Sequence, residues 1–151
     1  MSNTTFTGPI RAGNILNTSG TTLGTDVSNV GQVLMVQSSA VTQASGATGI
    51  VIPADSQIVS ISVMVTTAWD GVAATFGIGT TASATFLTAA AALSGSAVGP
   101  LTATPGTDAT RAGNWIDVGT TYRKIAVTST NTGAGVGVIT VTYAQARNLT
   151  A

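Results

Sequence analysis

The sequence predicts an all-β fold, a jelly-roll-like β-sandwich of about eight strands with an extended N-terminal arm. Charged residues make up only 7% of the 151-residue chain, against about 25% in ordinary soluble domains, so the Glu and Lys typical of exposed helix faces are nearly absent. Thr, Val and Gly are abundant instead, and β-branched residues favour pleated surfaces. Short apolar segments recur roughly every 8 to 15 residues between turn signals, as in sandwiches and jelly rolls.

Residues 1–32 differ from the rest and form the predicted arm. Their apolar residues are isolated, follow neither helical nor strand periodicity, and include a turn signal at Gly8-Pro9. A disordered tail seldom needs such spaced apolar residues, so we favour an arm that becomes ordered against a neighbouring subunit or partner. Arg11 within a docked arm would pair with a partner's carboxylate. The candidate partner-binding residues of the arm are Phe6, Pro9, Ile10, Arg11, Ile15 and Leu16.

Residues 33–151 form the predicted sandwich body. Its first strands are expected at 33–41, 50–52 and 58–69. The last of these has the clearest period-two alternation, which indicates a half-buried strand. The alternation places Val59, Ile61, Val63, Val65, Thr67 and Trp69 on one face, and Ser60, Ser62, Met64, Thr66 and Ala68 on the other.

The remaining body is divided by turn signals. Asp70-Gly71 predicts a hairpin turn that pairs the preceding strand with one at 74–78, because Gly accepts the positive φ of such turns. Residues 84–95 fit either a short helix that ends before Gly95 or a strand or loop, and this choice stays open. Pro105-Gly106 predicts a further turn, followed by a loop as far as Gly113. The other strands are expected at 98–104, 115–118, 123–129 and 136–146.

The side chains that most enzymes use are missing. The chain has no His and no Cys, and its five acidic residues are all Asp, so Ser-His-Asp and Cys-His triads are impossible and the usual zinc ligands are absent. Four of the acids, Asp26, Asp55, Asp70 and Asp108, lie beside Gly, Ser or Thr, where Asp caps its own backbone in turns. We therefore predict no enzymatic activity, no cofactor and no metal site.

One segment matches the letters of a phosphate-binding motif. Residues 77–82 read Gly-Ile-Gly-Thr-Thr-Ala, which fits G-x-G-x-x-[GA] after a predicted strand. No convincing helix begins there and no acidic residue follows about 20 positions later, as a dinucleotide site requires. A glycine-rich strand end explains the match.

The charge pattern and hydropathy also limit the partners. The net charge is zero, the pI is about 5.9, and no basic cluster exists beyond Arg123-Lys124, which argues against nucleic-acid binding. The longest apolar stretch, 89–93, is too short to span a bilayer, and residues 1–14 lack the features of a signal peptide. We predict neither nucleic-acid nor membrane binding.

Aromatic residues are the remaining candidates for ligand contact. Trp69 and Tyr143 are in phase with the apolar faces of their strands, so they are expected in the core. Trp115, between Asn114 and Ile116, is the one aromatic residue we propose as a possible ligand contact, for example by stacking on a sugar ring.

Three segments together resemble a known group of proteins. Residues 49–81, GIVIPADSQIVSISVMVTTAWDGVAATFGIGTT, are similar to a recurring segment of tailed-bacteriophage virion proteins. The opening TTFTGPIRAGN and the ending GVGVITVTYAQ resemble the start and the closing strand of such head proteins. The three segments cover rather more than a third of the chain, and Ala54-Asp55 departs from the usual Ala-Gly. The resemblance implies a capsid decoration (cement) protein, typically a trimer on the outer face of the shell with an N-terminal arm over the major capsid protein.

Composition and resemblance point to the same function. A chain with so few charges has little electrostatic protection against association, so a surface committed to subunit or partner contacts is expected. The resemblance implies that the function behind these contacts is that of a virion structural protein on the outer capsid surface, a homotrimer that bridges major capsid protein subunits. The alternative is a head-fibre or tail module that recognises host surface glycans through Trp115.

Overall fold

The computed structural model describes residues 31–146. Its elements are eight strands and one helix, which lies between the sixth and seventh strands. They are β1 (Val33–Thr42), β2 (Gly46–Ile52), β3 (Gln57–Thr67), β4 (Thr75–Thr80), β5 (Leu93–Ser94), β6 (Gly99–Thr102), α1 (Ala109–Ile116), β7 (Arg123–Ser129) and β8 (Val136–Gln145).

The strands form two antiparallel four-stranded sheets. The front sheet has the order β1-β8-β3-β6 and the back sheet the order β2-β7-β4-β5. The first strand pairs with the last, and each later pair lies inside the one before: β1–β8, β2–β7, β3–β6 and β4–β5. This nested order is that of one long antiparallel hairpin that is folded over to give two sheets. The predicted all-β sandwich is confirmed.

The core lies between the two sheets. Strands from both sheets contribute fully buried Ile and Val side chains, as expected where alternate residues face a second layer. Trp69 and Phe76 pack with ring centroids 4.3 Å apart, and Tyr143 is 2% exposed. Trp69 and Tyr143 therefore lie in the core, as predicted from their positions on the apolar faces of their strands. The Tyr143 hydroxyl accepts a hydrogen bond of 2.7 Å from Gln37 Nε2.

The alternation predicted for β3 holds only in its centre. Ile61, Val63 and Val65 are buried, but the register shifts between Ile58 and Ser60 and again between Val65 and Thr67. A bulge adds one residue to a strand and so reverses the faces beyond it. For this reason Val59 is 52% exposed while Ile58 is buried, and Thr67 is exposed. The prediction was wrong for Val59 and Thr67.

The predicted hairpin at Asp70-Gly71 is also wrong. Gly71 does have a positive φ of 92°, so the conformation of the turn was predicted correctly. The turn, however, leads from β3 in the front sheet to β4 in the back sheet. A positive φ fixes the local path of the chain and leaves open which sheet the next strand joins.

The strand predicted at 115–118 is wrong, because Trp115 lies in α1. Asp108 caps this helix: its Oδ1 accepts a 2.8 Å hydrogen bond from the Arg111 backbone N–H, and its carboxylate lies 3.6 Å from the Arg111 guanidinium. A side-chain acceptor at this position stabilises the first turn of a helix. The open segment 84–95 forms no helix and ends in the two residues of β5.

A buried amide holds three connections together at one end of the sandwich. Gln43 has no exposed surface, and its Oε1 accepts hydrogen bonds from the backbone N–H groups of Asp70 (2.9 Å) and Gly135 (3.2 Å). Its Nε2 donates to Asp70 O (2.5 Å) and Asn131 Oδ1 (3.1 Å). We call these four residues the Gln43 cluster. It joins the β1–β2, β3–β4 and β7–β8 connections.

Candidate binding surfaces

The outer face of the front sheet has no charge. None of its four strands contains Asp, Glu, Lys or Arg. The strands nonetheless alternate between buried and exposed positions, so one face of each is open. Sheet surfaces that remain in water usually carry polar and charged residues. This face therefore has the chemistry of a contact surface.

An apolar row crosses all four strands of this face. Val138 lies opposite both Ala40 and Met64, and Met64 lies opposite Pro100. Met64 is 47% and Val138 39% exposed, and Ala40 and Pro100 are exposed as well. We call these four residues the apolar row.

A hydroxyl row lies directly beside it. Ser38, Thr140, Ser62 and Thr102 face one another across the same four strands, and the hydroxyls of Ser38 and Thr140 are 2.8 Å apart. Hydroxyl groups both donate and accept hydrogen bonds. The face thus offers apolar contact and hydrogen bonding side by side, without the desolvation cost of ions.

Strand β1 is a long edge strand. It has ten residues and hydrogen bonds as a ladder only to β8. Its middle is tied to β2 by side chains, because the Gln37 amide donates to Val51 O and accepts from Val51 N, and Ser39 Oγ accepts from Gly49 N. Proteins usually protect such edges with Lys or Pro. β1 contains neither, so the uncharged face continues to the edge of the sheet.

The outer side of the back sheet is covered at β4. A Cβ at Gly79 would lie 2.3 Å from Ser83 O, and one at Gly77 would lie 2.8 Å from Ala89 O. These atoms belong to a covering segment, residues 83–90, which Thr88 holds in place by hydrogen bonds to the backbone of Ile78. The two glycines of the G-x-G match therefore allow a loop to cross the strand closely, which explains them without a phosphate.

The structure places Trp115 against this covering segment. Its Nε1 donates a 2.9 Å hydrogen bond to Leu87 O, and the neighbouring Asn114 Nδ2 donates one of 2.9 Å to Phe86 O. Trp115 is half-buried and packs against the core. Its indole N–H thus already has a protein partner, and only the exposed part of its ring is open to a ligand.

The arm residues cannot be placed in the same way. Phe6, Pro9, Ile10, Arg11, Ile15 and Leu16 lie outside the described residues. Their partner contacts, and the division of the chain at residues 32 and 33, stay predictions. The composition predicted a surface committed to contacts but did not assign it to particular strands, although the absence of charge from these four strands is a signal that the sequence contains.

The acidic residues of the described part of the chain include two in turns and one that caps a helix. Asp55 has a φ of 55°, Asp108 caps α1, and Asp117 Oδ1 accepts a 2.8 Å hydrogen bond from Gly119 N. Within residues 31–146, no three acidic side chains come together as a possible metal site. Over the same range, no helix has the length and hydropathy needed to cross a membrane.

Comparisons with known proteins find one distant likeness. No family model matches the chain, and no curated protein matches it. It is similar to a solved chain described as "Cyanophage Pam1 capsid asymmetric unit". The sequence identity is 21% and the TM-score 0.42, over 86% of this chain and 97% of that one. A likeness at this level assigns no function.

Proposed function

We propose that the chain is a virion structural protein that decorates the outer surface of an icosahedral phage capsid. In this proposal it is a non-enzymatic homotrimer that bridges major capsid protein subunits. The observation on which the proposal rests is the charge-free outer face of the front sheet. The segment that resembles phage virion proteins, residues 49–81, supplies β3 and its exposed Met64, which lies in the middle of this face.

The uncharged face would pack against neighbouring copies of the chain. Its strands span about 15 Å across the sheet at the usual strand spacing, and β1 and β8 run for about 30 Å. The resulting flat area of about 450 Å² is little more than half of the roughly 800 Å² per partner of a standard interface, and side chains that project from it add to the contact. The strand pairing agrees with a jelly roll, which is common in viral capsid proteins.

The arm would bind the shell. Spaced apolar residues such as Phe6, Ile10 and Ile15 suit docking in a groove or along a strand edge, and Arg11 would pair with a carboxylate. Bridging several capsid subunits in this way would raise the number of contacts that internal pressure must break before the shell opens.

The two halves of the proposal are tested separately. Met64→Lys places a charge in the apolar row, and we expect it to lower the oligomeric state measured by light scattering, because burying an unpaired charge is costly. Val72→Lys is the matched control, since Val72 is fully exposed in a connection away from the face. Equal oligomeric states for the two variants would contradict the proposed trimer face.

Capsid binding is measured with the full chain. Phe6→Asp combined with Ile10→Asp is expected to abolish co-sedimentation with decoration-free capsids, whereas Thr18→Asp combined with Thr21→Asp adds the same charge to the arm and is expected to retain it. Undiminished binding by the first variant would refute the role of the arm. Copy number per virion distinguishes the alternative of a glycan-binding fibre module, because cement proteins are present in far more copies than receptor binders.

A further inference from the structure

We propose a second binding site, for a carboxylate-bearing sugar, at the end of the back sheet where β7 begins. The site is independent of the capsid proposal. It is an open cavity of about 300 Å³, a size at the lower end of small-molecule sites. It is lined mainly by Thr80, Thr81, Thr121, Tyr122, Arg123 and Lys124.

The cavity is lined by the two basic residues that have no ion-pair partner within the described residues. Three bases lie within residues 31–146, and Arg111 is the one with a carboxylate partner, Asp108. Arg123 and Lys124 are adjacent on β7, and neither forms an ion pair in this part of the chain. Both residues line the cavity, and basic side chains without a counter-charge attract an anionic group.

Arg123 is held in place before any ligand binds. Its Nε donates a 2.8 Å hydrogen bond to Val118 O, and its guanidinium carbon lies 4.8 Å from the centre of the Phe86 ring. The remaining guanidinium N–H groups are thereby oriented, and oriented donors bind a carboxylate at a lower entropic cost. The Lys124 ammonium, by contrast, makes no hydrogen bond within the described residues, so it can adjust its position to the ligand.

The rest of the lining favours a sugar over a simple anion. Tyr122 is 65% exposed, and an exposed aromatic ring offers a flat apolar surface with a polar tip. Thr81 and Thr121 are exposed beside it, and their hydroxyls can donate to and accept from sugar hydroxyls. The class of ligand that needs two cations, an aromatic face and a row of hydroxyls together is an acidic monosaccharide unit, such as a uronic acid.

The site also changes which aromatic residue is the candidate for glycan contact. The indole N–H of Trp115 donates to Leu87 O, and Phe86, the residue before Leu87, has its ring against the Arg123 guanidinium. Trp115 therefore supports the cavity indirectly through the segment at 86–87, whereas Tyr122 lines it.

The test is a titration of the full chain with three small probes, in which binding is measured by NMR from the chemical shifts of the backbone amides. Glucuronate carries both the ring and the carboxylate, glucose carries the ring alone, and acetate carries the carboxylate alone. We expect saturable shifts at Thr81, Tyr122 and Lys124 with glucuronate, and at least tenfold weaker binding of the other two probes.

Variants assign the effect to the site. Lys124→Gln is expected to weaken glucuronate binding about tenfold, since a charge-assisted hydrogen bond contributes on this scale, and Lys124→Arg is expected to retain it. Arg111→Gln is the control, because it removes the same charge from a base that does not line the cavity. Tyr122→Ala should reduce the affinity for glucuronate to that for acetate.

Two results would overturn the inference. An absence of saturable shifts with glucuronate means that the cavity binds no acidic sugar. Equal affinities for acetate and glucuronate in the unmodified chain mean that the ring contributes nothing, and would assign the two bases to a carboxylate of a partner protein instead.

Discussion

Replacing Gln43 by Leu tests whether the Gln43 cluster stabilises the sandwich. The substitution keeps a side chain of similar size but removes both polar groups. It leaves the Gly135 backbone N–H buried without an acceptor and removes the partner of the Asp70 N–H, whose hydrogen bond is part-buried. Asn131 keeps its own hydrogen bond to Asp70 O, so that carbonyl remains paired.

The expected loss is about 3 kcal/mol in the free energy of unfolding. An unsatisfied buried donor costs about 1–3 kcal/mol; Gly135 is buried and takes the upper part of this range, and Asp70, an exposed residue whose hydrogen bond to Gln43 is part-buried, adds at most about 1 kcal/mol. For a chain of this length the corresponding fall in Tm is about 6–12 °C.

Urea denaturation at a fixed protein concentration measures this loss, since oligomerisation makes stability depend on concentration. Gln57→Leu makes the same chemical change at an exposed position of β3, where substitutions usually stay within about 0.5 kcal/mol. A loss below about 1 kcal/mol for Gln43→Leu, or an equal loss for both variants, would refute the reasoning.

Three further outcomes concern the covering segment and α1. Gly79→Ala is expected to destabilise the chain strongly because its Cβ would lie 2.3 Å from a backbone oxygen, whereas Gly46→Ala, with nothing within 4 Å, should be neutral in the same urea assay. Asp108→Ala removes the helix cap and should cost about 1 kcal/mol; Asp108→Asn retains an acceptor and should cost much less, and equal losses would contradict a capping role. Trp115→Phe removes the hydrogen bond to Leu87 O and should raise amide hydrogen exchange in the segment at 83–90, and unchanged exchange would show that the indole N–H does not hold this segment.

The sequence predicted every strand except β5, and one at 115–118 that is absent, but it did not predict which strands pair. Alternation in β3 and β8 identified both strands, because one face of each packs against the core. It did not reveal the bulge beside Val59, since a bulge depends on how the neighbouring strand is paired. The hairpin predicted at Asp70-Gly71 failed for a related reason: turn chemistry is local, and the assignment of β4 to the back sheet depends on the whole fold.

The helix and the candidate sites were harder to predict for other reasons. α1 has only eight residues, about two turns, and includes Gly113, which has a low helix propensity, although Asp108 at its start was a usable capping signal. Tyr122, Arg123 and Lys124 are adjacent in sequence, but the threonines at 80 and 81 reach them only because β4 pairs with β7. Trp115 was chosen from its neighbours in sequence, and the contact with Leu87 O could not be seen there.

The position of β8 affects how the chain folds as it is made. β8 lies between β1 and β3 in the front sheet, so its two neighbours cannot be joined until the last segment of the body has left the ribosome. The back sheet ends with β7 and can assemble earlier. Non-local pairing of this kind is slow and leaves apolar strands unpaired for longer. We therefore expect a chain truncated before residue 136 to aggregate, because both β1 and β3 would keep an open edge.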